Sequence, residues 1–359
     1  MRVLHYVNEG TLSWSRPWIQ LIQSLQNKNV DNVVACPLEG QLSSLFTEAG
    51  ITVFTYKPRI SWAPFLCKGF EECLKKIQPD IIHTRLFSAA VIGGYWGKKY
   101  NIPVVATIDS RPKKKYFRYI DKTIAVSSYI KQQAIASGMQ KEHIDVIPNA
   151  VEVKYYEKPA TFDFGIVRDR YGIRKEDAII IAAGRFVGWK GFDVLIEAFK
   201  KISSEDSRNV WLLLAGCGEE EDKLKLLANN HPRIIFLGFV NDIRPFLWAS
   251  NLYVLPSRLP EPFGLSLLEA MASGLLCVAT SNGGPNDIIN HDYDGWLVPP
   301  DDCENLANTL NQVLLSSEVR KKEVEKRAIQ KAATFDVEQI SLLCIDYYQS
   351  LLMGEKYAH

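Results

Sequence analysis

Two loops carry residue types that could act on a phosphorylated ligand. The first, Gly184-Arg185-Phe186-Val187-Gly188-Trp189-Lys190-Gly191, follows the apolar run 178–183. Its glycines permit a tight turn and close backbone approach. Arg185 and Lys190 can converge on one polyanion, the Arg through bidentate hydrogen bonds and the Lys as a point charge. This suits a diphosphate held without a metal, and by itself it equally suits a solvated basic turn. The Gly-Lys-Ser/Thr ending of a Walker loop is missing.

The second loop, Pro256-Ser257-Arg258-Leu259-Pro260-Glu261-Pro262-Phe263-Gly264-Leu265, follows the run 252–255 and enters a predicted helix containing Glu269. At that helix start the amides of Phe263, Gly264 and Leu265 and the positive end of the helix dipole favour a phosphate. Glu261 can accept hydrogen bonds from sugar hydroxyls, and Glu269 can reach a second polyol. The plainer alternative makes Glu261 a helix-start charge and Glu269 a surface carboxylate. Glu269 nevertheless sits between Leu268 and Ala270-Met271, an expensive place for an unpaired charge.

The elements that must position these loops are legible as unalternated Val/Ile/Leu-rich runs at 2–7, 32–36, 51–55, 80–83, 103–108, 123–126, 144–147, 178–183, 210–215, 234–237, 252–255, 276–279 and 296–298. Such runs suit parallel sheets covered on both faces, and amphipathic segments such as 192–202, 221–230 and 266–273 fit between them. The fold class is therefore α/β. The segment 148–177 interrupts the alternation with Pro, charge and aromatic residues, which places a boundary between domains 1–165 and 166–338. A helical pattern starts near 335, and residues 339–359 are expected to form a C-terminal helix. Two doubly wound domains facing across a cleft would bind ligands beyond the carboxyl ends of their strands.

Composition bounds the function. With 42 Lys+Arg against 41 Asp+Glu in 359 residues, the chain lacks the basic excess of a nucleic-acid binder. The total hides 21 basic and 14 acidic residues in 1–165, a net +7, against −6 in the remainder. Seven widely spaced cysteines without C-x-x-C pairs read as small buried hydrophobes in a reducing compartment. No signal-peptide pattern and no apolar stretch of membrane-spanning length is present, so a cytoplasmic protein, at most peripheral to the plasma membrane's inner face, is expected. Leu214-Ala215-Gly216-Cys217-Gly218 begins like a dinucleotide fingerprint but continues into three acids, which argues against an NAD-dependent dehydrogenase.

The Gly-Arg-x4-Lys-Gly turn together with Glu-x-Phe-Gly-x4-Glu resembles the donor site of the retaining GT-B glycosyltransferases of family four. Val-Ile-Pro-Asn-Ala-Val (146–151), Leu-Gly-Phe-Val (237–240) and Gly-Gly-Pro-Asn-Asp-Ile-Ile (283–289) extend the resemblance over essentially the whole chain. It implies two Rossmann-like domains, a C-terminal helix (339–359) crossing back to the first, a nucleotide-diphosphate sugar held mainly by the second, retained anomeric configuration, no cofactor and no metal. By position it implies that Arg185 and Lys190 hold the diphosphate and stabilise the leaving nucleotide, helped by the amides of Phe263, Gly264 and Leu265. Glu269 would hold the ribose, Glu261 the transferred sugar, and the backbone near Val240 the base. From the first domain, Gly10 would approach the diphosphate.

Two departures stand out. Where relatives often have Gly-Gly, this chain has Glu9-Gly10. Where many have a His after the strand corresponding to 103–108, this chain reads Ala106-Thr107-Ile108-Asp109-Ser110-Arg111. Asp109 is the candidate for that place, able to bind a hydroxyl or assist acceptor deprotonation; the alternative is an Asp capping the following turn. His83, at another strand end, reads as a supporting residue. Downstream, 111–119 interleaves five cations with three aromatics, as an anionic membrane surface, a phosphorylated acceptor or plain solvent would allow. The expected partners are a nucleotide-sugar donor and a glycan or lipid-linked acceptor of envelope biosynthesis, with no nucleic acid. A nucleotide-sugar epimerase and a non-catalytic nucleotide-sugar-binding protein are the competing readings.

Overall fold

The computed structural model describes residues 1–11, 15–58, 60, 62–205 and 210–354. The chain divides into two compact units, Met1–Glu152 with Phe335–His359, and Val153–Thr334. The division thus falls at Glu152, ahead of the expected 165, and the return begins at Phe335 instead of 339; residues 355–359 of that expected helix lie outside the described residues. The cause is in the interrupting segment. It looks like a linker, yet it folds onto the second unit: Arg244 stacks 3.8 Å from the Tyr155 ring centroid, Trp248 Nε1 donates to Tyr156 O at 2.7 Å, and Phe162 meets the Trp248 ring. Recounted by unit, the first holds 20 Lys/Arg and 16 Asp/Glu and the second 22 and 25, so the charge asymmetry shrinks to +4 and −3.

The first unit is a seven-stranded parallel sheet built from β1 (Arg2–Tyr6), β2 (Asp31–Cys36), β3 (Thr52–Thr55), β4 (Ile81–Arg85), β5 (Val104–Ile108), β6 (Lys122–Ala125) and β7 (Ile144–Val146), in the order 3-2-1-4-5-6-7. Neighbouring residues send side chains to opposite faces. Val3, Ile81 and Val105 pack on one side with Leu21, Leu25 and the C-terminal helix Val337–Met353, whereas Leu4, Ile82 and Val104 pack on the other with Phe70, Leu74 and Trp96. Two buried faces explain why these strands show no polar alternation. Asp336 caps the C-terminal helix by accepting from the Glu338 amide. Its inner face then hydrogen-bonds into the sheet, Tyr347 to Thr123 O at 3.2 Å and Tyr348 to His83 Nδ1 at 2.6 Å.

The second unit has six parallel strands, β8 (Ala178–Ala183), β9 (Val210–Ala215), β10 (Ile234–Gly238), β11 (Leu252–Leu255), β12 (Leu276–Thr280) and β13 (Trp296–Val298), ordered 10-9-8-11-12-13. Ile180, Ala182, Leu212, Leu214, Leu252 and Val254 share one core with Leu195, Phe199 and Leu310 from the covering helices. In each unit the order reverses beside the first strand, between β1 and β4 and between β8 and β11. Such a reversal opens a crevice at the carboxyl ends of the strands, the usual ligand position in open α/β sheets. Among the described residues no helix is long and apolar enough to cross a membrane. Five cysteines are buried, Cys303 is partly so, and Cys217 is exposed, against the expectation that all seven would be interior.

His83 also meets Thr107 Oγ1 through Nε2 at 2.7 Å, and His5 pairs with Asn32 at 2.9 Å. Burial lowers both imidazoles, His5 to about 4 and His83 well below its ordinary value. Both are neutral when folded and take up protons readily only when unfolded. Their contribution is therefore present above about pH 6.5 and is lost as pH falls toward 4, at about 1.4 kcal/mol per pH unit for each. Urea unfolding at pH 7.5, 6 and 5 should show stability of the first unit falling with acid, and His83→Gln should reduce that slope; a pH-independent midpoint would contradict this.

Candidate active site

In the second unit the two loops singled out by sequence both leave strands at the reversal point, Gly184–Gly191 after β8 and Pro256–Gly264 after β11. They are joined in three ways. Lys190 Nζ donates to Glu261 Oε1 at 2.5 Å, and Ser257 donates to the same oxygen. Arg258 reaches back to Asp193 at 2.8 Å, to Gly188 O at 3.0 Å and to Asp301 at 2.7 Å. The Arg258 amide bonds Trp189 O, and a Cβ on Gly191 (φ +68°) would stand 2.1 Å from Pro256 O, so only glycine allows this approach.

Lys190 and Glu261, each expected to contact a part of the ligand, lie together as one ion pair, with Glu261 only 5% exposed. Lys190 also lies over the Trp189 ring at 4.5 Å. Glu261 Oε2 makes no hydrogen bond to the described residues and remains able to accept one. The backbone behind Glu261 is fixed by the 282–284 turn. Its amide donates to Asn282 O, its carbonyl accepts from Gly284 N, and a Cβ on Gly284 would lie 2.3 Å from Phe263 Cα.

The helix Leu265–Ala272 begins at Gly264 (φ +116°), and as in any helix its first-turn amides lack intrahelical acceptors. Phe263 is buried beneath this turn. Glu269, one turn further on, is half-buried; burial first, and then its carboxylate and that of Glu261, keep the nearby Tyr253 phenol protonated. Arg185, by contrast, is exposed and has no ion-pair partner among the described residues. Val240 is half-buried just beyond β10. The discounted Gly216-Cys217-Gly218 turn has a structural task, receiving the Phe186 amide on Cys217 O and so fixing the Arg185 turn from its other side.

The other predicted residues belong to the first unit. Gly10 serves a backbone contact there: a Cβ would stand 1.8 Å from Glu39 O, and its carbonyl accepts from the Leu42 amide. Asp109, at the end of β5, caps no turn amide. Its carboxylate faces the Arg85 guanidinium at 3.8 Å, and Oδ2 is buried without a hydrogen bond. Burial raises its pKa, with Arg85 opposing. Arg85, itself buried against the Trp18 ring, was not singled out in the sequence. In 111–119 the pattern separates: Phe117 is buried, Tyr116 stacks on Phe87 and Tyr119 meets Tyr95, while Lys113, Lys114, Lys115 and Arg118 remain exposed.

The ion pair and the free cation should respond differently to truncation. Lys190→Ala leaves a buried carboxylate unpaired and should destabilise the second unit by about 3–5 kcal/mol. Arg185→Ala should change stability by less than about 0.5 kcal/mol. Thermal melts of both variants check this, and equal melting temperatures would refute the structural role of Lys190.

Comparison with known proteins then places the chain. Residues 163–332 match the family model described as glycosyl transferases group 1, and residues 16–155 that described as glycosyltransferase family 4. N-acetyl-alpha-D-glucosaminyl L-malate synthase of Bacillus anthracis is 30% identical over 324 residues, covering 85% of this chain and 83% of that protein. The UDP-Gal:alpha-D-GlcNAc-diphosphoundecaprenol alpha-1,3-galactosyltransferase of Escherichia coli is 25% identical over 330 residues, covering 82% and 83%. Crystal structures of Anabaena HepE in complex with UDP and with UDP-glucose superpose with TM-scores of 0.86 and 0.84 at 22% identity, covering 98% of this chain and 100% of theirs. The fold is that of the GT-B enzymes, and the chain belongs to the glycosyltransferases of group 1 and family 4.

Proposed function

We propose that the protein transfers a hexose or related sugar from a nucleotide-diphosphate donor to a hydroxyl of an envelope glycan or lipid-linked acceptor, with retention at the anomeric carbon and without a divalent metal. The observation that carries this reading is the pairing pattern around the β8/β11 reversal. Lys190 is committed to Glu261, whereas Arg185 is exposed, unpaired and at the same end of the sheet as the first turn of the helix Leu265–Ala272. A guanidinium and helix-start amides together supply the positive charge that a departing nucleoside diphosphate requires. Lys190 then acts mainly by holding Glu261, whose Oε2 accepts from the transferred sugar, and Glu269 takes the ribose. The names of two relatives agree: one E. coli enzyme uses UDP-Gal and a diphosphoundecaprenol acceptor, and HepE binds UDP-glucose.

The first unit offers a surface for an anionic membrane. Phe65 and Leu66 are 55% and 57% exposed on the short turn Pro64–Leu66, which packs on the helix Phe87–Tyr100 through a Trp96 Nε1 bond to Pro64 O. The turn Lys114–Phe117 packs on the same helix and presents Lys113, Lys114 and Lys115 outward. Exposed apolar side chains and exposed lysines on turns that pack on one helix suit the headgroup region of anionic bilayers.

Incubation with UDP-, GDP- and ADP-sugars and a membrane-extract acceptor should yield a product whose anomer matches the donor, in the presence of a chelator. Arg185→Ala should lower kcat/KM by about 10²–10³ with an unchanged melting temperature. An inverted product would refute retention, and donor turnover without acceptor would favour the epimerase. Donor binding with no reaction under any condition would favour a silent binder. Separately, cosedimentation should be strong with phosphatidylglycerol vesicles and weak with phosphatidylcholine, and each of Lys113→Glu and Lys115→Glu should cost at least about 1 kcal/mol. Equal binding to both vesicle types would exclude the electrostatic contact.

A further inference from the structure

The first unit contains a cavity of about 410 Å³ at its own sheet reversal, lined by Glu9, Phe87, Ser88, Asp109, Ser110 and Tyr116, with Trp62 at its edge. The volume falls within the range of small-molecule sites. One wall is a stacked pair, Phe87 and Tyr116, with centroids 5.5 Å apart and planes at 11°. The polar lining consists of two carboxylates, Glu9 and Asp109, and the hydroxyls of Ser88, Thr107, Ser110 and Tyr116, and among the described residues no Lys or Arg lines it. Leu86, also at this cavity, holds φ +72° and ψ 153°, a backbone conformation almost reserved for glycine. Such strain persists where surrounding structure enforces it, often at binding sites.

The donor and acceptor chemistry of this lining selects its ligand. Ionised carboxylates only accept hydrogen bonds, so the ligand must be rich in donors. Phosphate and uronate groups bring acceptors and like charge, and like-charge contacts oppose binding strongly. An ammonium would satisfy the acids, but Arg85 already balances Asp109 at 3.8 Å. A neutral sugar ring meets every condition, offering hydroxyl donors at its rim and an apolar face to the aromatic wall. Asp109, whose Oδ2 has no hydrogen bond among the described residues, belongs to this lining.

We propose that this pocket takes an uncharged hexopyranose ring, the terminal residue of the acceptor, with its hydroxyls on Glu9 and Asp109 and its apolar face on Phe87 and Tyr116. The assignment rests on the glycosyl-transfer reading and narrows it to neutral acceptor ends. The basic segment 111–119 is then left to the membrane and not to a phosphorylated acceptor group.

Saturation-transfer NMR on the full chain tests this with methyl hexopyranosides of glucose, galactose, mannose and N-acetylglucosamine, the matching 6-phosphates, glucuronate and glucosamine. At least one neutral glycoside should bind roughly tenfold or more tightly than its 6-phosphate and than glucuronate or glucosamine. Asp109→Asn and Phe87→Ala should each weaken that binding, and Glu9→Gln with Asp109→Asn should narrow the gap to the phosphate. Melting temperatures report whether each variant is folded, and Tyr116→Ala gives a second probe of the wall. Equal or tighter binding of a charged sugar, neutral binding insensitive to all these variants, or no neutral binding in the millimolar range would overturn the proposal. UDP binding by the same sample separates the outcomes: if it persists while the glycoside pattern fails, only the acceptor assignment falls.

Discussion

The second unit depends on the contact between Lys190 and Glu261. Two loops leave neighbouring strands at the point where strand order reverses, and nothing in the sheet itself ties them together. The ion pair, reinforced by Ser257 on the same oxygen and by Arg258 bridging to Asp193, does so. A pair this buried is costly to form and costlier to break, so its value lies in fixing geometry. It holds Glu261 with one oxygen committed and one available, and it leaves Arg185 as the exposed cation of the turn. A polyanion then meets a preorganised charge instead of a flexible basic loop.

The first unit repeats the topology with different chemistry. Its reversal point is bordered by acids and aromatic rings, with the Arg85 guanidinium buried beside Asp109. Below that lies a neutral buried layer, His83 between Thr107 and Tyr348, which ties the returning C-terminal helix to the strand that ends at Asp109. The carboxyl edge of one unit thus presents an exposed guanidinium and that of the other two carboxylates. The exposed Lys113, Lys114 and Lys115 lie on another surface, set by the turn that packs on the helix Phe87–Tyr100.

The strands were legible because each is a short apolar run buried on both faces, and the loops after β8 and β11 because glycine, cation and helix start fall within a few residues of one another. Pairings between distant residues were not. Lys190 and Glu261 are 71 positions apart, and no local pattern shows that they pair. Arg85 and Arg258 looked like ordinary charges until burial and their acid partners became visible. The chain divides earlier than its sequence suggests because a charged, proline-bearing stretch docks on the second unit, the Tyr155 ring on Arg244, Phe162 on Trp248, and Tyr156 through its carbonyl on Trp248 Nε1. The aromatics of 111–119 misled in the opposite sense: they pack inward, and the exposed apolar residues come from 62–66.

The central claim is that a nucleoside diphosphate binds at the β8/β11 reversal through Arg185 and the first turn of the helix Leu265–Ala272, with Lys190 held back on Glu261. A crystal structure of the protein with UDP-glucose tests it most directly. The account predicts diphosphate oxygens within hydrogen-bond distance of the Arg185 guanidinium and of the amides at Gly264 and Leu265, with the Lys190–Glu261 contact retained. A diphosphate bound elsewhere, or one that draws Lys190 away from Glu261 while Arg185 stays in solvent, would contradict it.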